Sequence, residues 1–114
     1  MSVEAYIPSR IEFAGVEIAG PTLVTLYNPD SAVSGGSLTA SKPPPAGCRG
    51  RLVVEGTRAG KLWSIVCPEI EVHNKSALGC EFHLLAAPQR TVLQDLGESK
   101  GRRKKGMEEQ FDIR

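Results

Sequence analysis

The sequence predicts a mostly β domain, a compact antiparallel β-sandwich or partly open β-barrel with a long Pro/Gly-containing loop and a flexible C-terminal tail. Three observations carry this. Apolar residues recur at every second position in short runs such as Leu52 and Val54 or Cys80, Phe82 and Leu84, the period of a strand with one buried face. Gly, Pro, Asn and Asp punctuate those runs as turns. The composition changes twice, at the Gly- and Pro-rich stretch 31–50 and at the charged run after Gly97.

The elements can be justified in chain order. Arg10–Phe13 and Val16–Ile18 read as short strands joined around Ala14-Gly15. After Pro21, the β-branched and aromatic run Thr22–Tyr27 suits a strand, and Asn28-Pro29-Asp30 ends it. Between Ser31 and Gly50, with Gly35-Gly36 and the triple proline Pro43–Pro45, the expectation is a long connection with one short strand at Leu38–Ala40. From Arg51 the alternation predicts a hairpin whose turn is the five residues Gly56–Gly60, followed by Lys61–Cys67. Trp63, Ile65 and Cys67 share one face of that second strand, and Leu62, Ser64 and Val66 share the other. Pro68 is expected to end or bend it before a new strand at Glu69–His73, with Ile70 and Val72 inward. A turn at Asn74–Gly79 and a strand at Cys80–Ala86 complete a second hairpin. After Pro88 the pattern fits either a last strand through Thr91, Leu93 and Asp95 or a short helix carrying Val92, Leu93 and Leu96 on one side.

At 114 residues the chain suits one hydrophobic core and is short for two domains. Residues 1–97 read as a single β-rich interaction domain and 98–114 as a basic, flexible tail. With three Phe, two Tyr and one Trp, the core must lean on Val, Ile and Leu, each buried at roughly 25 cal/mol per Å² of apolar area. The body, residues 1–97, carries eight basic and nine acidic groups, and the tail six and four. Nucleic-acid attraction would therefore need a local patch, for which Arg49, Arg51, Arg58, Lys61 and the run Arg102-Arg103-Lys104-Lys105 are the candidates.

No run approaches the roughly 20 apolar residues of a membrane-spanning helix. The first residues lack the basic start, apolar run and cleavage site of a secretory signal. Together with an odd set of three cysteines, this predicts a cytoplasmic protein, with the 102–105 run a candidate for nuclear import.

Cys67, His73, Cys80 and His83, with Cys48 in reserve, are of the right types for zinc, but no Cys-x-x-Cys knuckle is present and the strand period puts Cys80 and His83 on opposite faces. No metal or cofactor is therefore expected. A cysteine nucleophile assisted by either histidine has no supporting turn or matched carboxylate. Glu69 and Glu71 share a strand face as solvated charges, and Asn74-Lys75-Ser76, although an acceptor-type spacing for glycosylation, reads as a turn.

Asn74-Lys75-Ser76-Ala77-Leu78-Gly79, followed by Cys80-Glu81-Phe82, resembles the second signature of PilZ domains, in which Asn or Asp, Ser and Gly occupy those three positions. The resemblance covers about ten residues. It implies a β-barrel that binds cyclic di-GMP, but the family's upstream pair of arginines four positions apart is absent, since Arg49 and Arg51 are differently spaced.

The residues thus favour a noncatalytic interaction or adaptor module that binds another protein within an assembly or itself. Trp63, Leu85 and the 102–105 run are its candidate contacts. A nucleic-acid-binding protein and a small-molecule or cyclic-dinucleotide-binding β domain are the alternatives.

Overall fold

A computed structural model describes residues 2–31 and 34–97. The expected tail, with Arg102, Arg103, Lys104 and Lys105, lies outside the described residues. Eight strands are present: β1 (Val3–Phe13), β2 (Val16–Glu17), β3 (Leu23–Tyr27), β4 (Gly35–Thr39), β5 (Arg49–Arg58), β6 (Lys61–Lys75), β7 (Gly79–Leu84) and β8 (Gln89–Asp95). All pairings are antiparallel. Six strands close on themselves in the order β1-β3-β4-β7-β6-β5, because β1 pairs with β3 through Val3–Tyr6 and with β5 through Ile7–Phe13. The fold is therefore a closed barrel rather than a sandwich. The two extra strands attach at single edges, β2 to the end of β1 and β8 to the first half of β6.

Two hairpins turn on two residues each. Ala14 and Gly15 have φ of 53° and 82°, and Ala59 and Gly60 have 54° and 74°, left-handed at both positions as a tightly twisted two-residue turn requires. The expected five-residue turn at Gly56–Gly60 is thus shorter. Gly56 and Thr57 belong to β5, and Gly56 is needed because a Cβ there would lie 2.8 Å from the Ile7 carbonyl oxygen of β1.

Pro68 does not end its strand. β6 runs through it for 15 residues. Opposite it, Gly50 pairs with Ile70 and Leu52 with Cys67, so Pro68 and Glu69 together face Arg51 in a bulge. On the other side, the partner changes from β8, which stops at Val66, to β7, which starts at Ile70. The missing proline N–H falls where neither ladder needs it.

The first strand is longer than its sequence pattern suggests. Glu4, Tyr6 and Pro8 alternate toward the interior, a bulge at Ser9 shifts the register, and Ile11 and Phe13 continue the inner face. The core draws on every barrel strand: Tyr6 and Ile11 from β1, Val24 and Leu26 from β3, Leu38 from β4, Leu52 and Val54 from β5, Ile65, Ile70 and Val72 from β6, and Phe82 from β7. It is wider than the 51–86 segment that carries the clearest alternation. The last segment is a strand, not a helix, and it lies along β6 in the same direction as β7.

Candidate interaction surfaces

β7 and β8 follow one another along β6. β7 has β4 on its other side, whereas β8 pairs with β6 alone among the described strands. From Thr91 to Leu96 every residue of and just beyond β8 is exposed, including the apolar Val92, Leu93 and Leu96 at 41%, 51% and 49%. A strand edge of this kind leaves alternate N–H and C=O groups available to an added strand.

The start of β8 is anchored across the gap to the opposite wall. The Arg90 guanidinium lies 3.1 Å from Asp30 in the loop after β3 and 3.7 Å from Glu4 of β1. The Tyr6 hydroxyl donates to Glu4 at 2.9 Å, and Arg58 sits over the Tyr6 ring at 5.7 Å. Burial tends to lower the Arg90 pKa, and the two carboxylates outweigh it, so the net shift is upward and the charge is retained. Burial and the neighbouring Glu4 carboxylate likewise push the Tyr6 hydroxyl up, keeping it a neutral donor.

Trp63 is half-buried and packs against the core, its ring T-shaped to Tyr6 with centroids 6.5 Å apart and its indole N–H donating to the Arg58 carbonyl at 3.1 Å. Leu85 is exposed in the link between β7 and β8, in a cleft of about 370 Å³ shared with Pro29, Asp30 and Ser31. Of these two candidate contacts, Trp63 is packed on the interior and Leu85 lies outside.

The Cys and His constellation divides across the barrel wall. Cys67 and Cys80 are buried in the core, and burial pushes their thiols up to about 12 and about 11, so both are protonated at neutral pH. His73 and His83 lie on the outer surface and stack on each other, centroids 4.0 Å apart. Among the described residues no group of three or more His, Cys, Asp and Glu side chains could hold a metal ion. The opposite-face placement of Cys80 and His83 follows from strand period alone. The histidine stack does not, because it depends on the β6–β7 register, in which His83 pairs with Glu71 and His73 falls at the bulge between Val72 and Asn74.

The basic candidates separate into two groups along β5. Arg49 and Arg51 stand at its beginning, with Arg49 3.5 Å from Glu71, while Arg58 and Lys61 face each other across the hairpin at its far end. Arg51 and Arg58 are seven strand steps apart, roughly 23 Å at about 3.3 Å per residue.

The Asn74–Gly79 segment closes the β6–β7 hairpin. Its polar groups serve the turn itself: the Ser76 hydroxyl accepts from the Leu78 N–H at 3.3 Å, the Ser76 N–H donates to the Gly79 carbonyl at 2.8 Å, and the Asn74 amide donates to Glu81 at 3.0 Å. A Cβ at Gly79 would lie 2.2 Å from the Leu38 carbonyl oxygen, so close strand approach is what demands glycine. Beside the turn is an open cleft of about 390 Å³ lined by Ser37, Thr39, Asn74, Lys75, Ser76 and Glu81 among others. Among the described residues Lys75 is the one cation in its lining.

A second cleft, about 420 Å³ and apolar, lies between the β1–β2 hairpin and the proline loop, with Phe13, Val16, Ile18, Pro44 and Pro45 in its walls. The loop is tied to β6 by the Gly47 N–H on the Val72 carbonyl and the Val72 N–H on the Cys48 carbonyl, at 2.7 and 2.9 Å. It is a docked wall of the cleft. Among the described residues no helix is long and apolar enough to cross a membrane.

Compared with protein-family models, curated proteins and solved structures, the chain has no match in any of the three.

Proposed function

We propose that the chain is a noncatalytic interaction module that binds another protein through the free edge of β8. The observation that supports this reading is the unpaired edge itself, which presents exposed Val92, Leu93 and Leu96 on a strand anchored at its start by Arg90. Addition of a partner strand supplies main-chain hydrogen bonds, and the apolar side chains supply selectivity. The test is capture of partners by the full chain and by Leu93→Pro, which places a strand-blocking proline at an exposed position of β8. Partners retained by the parent and lost by the variant support the proposal. Partners retained equally by both contradict it.

A second reading, a small-molecule-binding β domain, is favoured by the open cleft against the Asn74–Gly79 turn and by the barrel itself, the fold that the resemblance to PilZ domains implies. Cyclic di-GMP is the ligand to try by calorimetry. Against a doubly anionic ligand, the cleft offers Lys75 and no arginine pair. Heat with a Lys75-dependent affinity supports this reading, and no heat at millimolar ligand removes it. Binding of nucleic acid through the basic groups is less favoured, since Arg49 and Arg51 stand a strand length from Arg58 and Lys61.

A further inference from the structure

We propose that the free edge of β8 pairs antiparallel with β8 of a second copy of this chain, about a two-fold axis passing between Val92 and Leu93. The inference rests on the reading of that edge as the interaction surface and goes beyond it by naming the occupant.

The order of residues along the strand is self-complementary. Read against itself in reverse, the run Arg90-Thr91-Val92-Leu93-Gln94-Asp95 sets Val92 opposite Leu93, Thr91 opposite Gln94 and Arg90 opposite Asp95, each pair occurring twice by symmetry. Apolar meets apolar, polar meets polar, and opposite charges meet. Moving the axis onto Val92 sets Thr91 against Leu93, and moving it onto Leu93 sets Val92 against Gln94 and Arg90 against Leu96. Matched cross-strand pairs are the favourable ones, so the central register is preferred to both neighbours.

On a regular strand this register would fail, because residues three or five apart face opposite sides. The bulge in β8 removes the obstacle. Leu62 pairs with Gln94 and Trp63 with Val92, so Leu93 is an extra residue and the facing pattern shifts by one across it. Thr91 opposite Ser64 and Gln94 opposite Leu62 both take the outer side of the sheet, while Arg90 opposite Ile65 and Asp95 opposite Lys61 both take the inner side. The bulge is what lets the Thr91–Gln94 and Arg90–Asp95 pairs each lie on one face.

Of the usual guards against such pairing, the edge lacks Pro and Lys from Gln89 to Asp95 and keeps a bulge and two inward charges, Arg90 and Asp95. Arg90 is already held by Asp30 and Glu4, so the central Val92 and Leu93 pairs contribute most of the attraction. Six paired residues make a small contact, and the dimer is a weak, concentration-dependent one.

Light scattering of the full chain from about 10 μM to about 1 mM should show the mass rising from 12.2 kDa toward twice that value. Leu93→Lys should weaken the dimer at least about tenfold, roughly 1.4 kcal/mol. In a Cys48→Ser background, mixed Thr91→Cys and Gln94→Cys chains should form a disulfide faster than either chain alone. A full chain that stays monomeric to 1 mM overturns the proposal, as does a dimer indifferent to Leu93→Lys or cysteine variants that couple equally well to themselves. If the chain is monomeric yet Leu93→Pro still abolishes capture of another protein, the second-copy proposal fails and the interaction reading stands.

Discussion

β7 and β8 share a partner strand and a direction, yet they have opposite fates. β7 is paired on both sides, and its inner residues Cys80, Phe82 and Leu84 are buried. β8 is paired on one side, and its inner positions hold Arg90 and the exposed Val92. The difference is neighbours, not alternation. β4 covers β7, while beside β8 the opposite wall makes contact through the charged groups of Glu4 and Asp30. A strand in the wall contributes to the core, and a strand at the seam stays exposed along one edge.

The sharpest way to break this comparison is to truncate matched positions. Phe82 is 1% exposed, and Phe82→Ala should cost about 3–5 kcal/mol in denaturant unfolding. Val92→Ala should cost less than about 1 kcal/mol, since there is little burial to lose. Equal losses would show that β8 is as much part of the core as β7.

Arg90→Met tests the anchor. It leaves Glu4 facing Tyr6 without a cation and frees the loop at Asp30, and a loss of about 1–3 kcal/mol is expected. β8 amides should exchange faster in this variant while β7 amides do not change. Uniform acceleration of both strands would mean that Arg90 supports the whole barrel rather than the seam.

A further effect depends on pH. The Cys67 thiol is held near 12 against an unfolded value of about 9, so from pH 9 to 12 the native state keeps a proton that the unfolded state has released. Stability is therefore fully present below pH 9 and falls as pH rises through that window, by at most about 1.4 kcal/mol per unit. Cys67→Ala should flatten the decline, measured by urea midpoints from pH 8 to 11. The smallest effect is that of Leu93→Lys on the monomer, within about 0.5 kcal/mol, because its side chain is exposed.

The alternating parts of the barrel could be read directly. Leu52, Val54, Ile65, Cys67 and the β7 residues occupy the faces their period predicts, and the Ala14-Gly15 turn falls where expected. β1 was harder because its inward residues before the bulge are Glu4, Tyr6 and Pro8, which do not look like a buried face until the Arg90 network and the Ser9 bulge are known. Pro68 misled for a related reason. A proline argues against a strand interior, and only the bulge and the change of partner from β8 to β7 explain its place in β6. For the candidate site, strand period alone separated Cys80 from His83. The free edge of β8 had no such signature, because whether a strand is covered depends on which others lie beside it.

Residue-resolved hydrogen exchange across concentrations tests the central claim most directly. At about 10 μM the edge-facing amides of Thr91–Asp95 should exchange much faster than those of Cys80–Leu84, and at about 1 mM they should become protected while β7 remains unchanged. Slow exchange of β8 at every concentration, or fast exchange that concentration never slows, would contradict a free edge that pairs with a second copy.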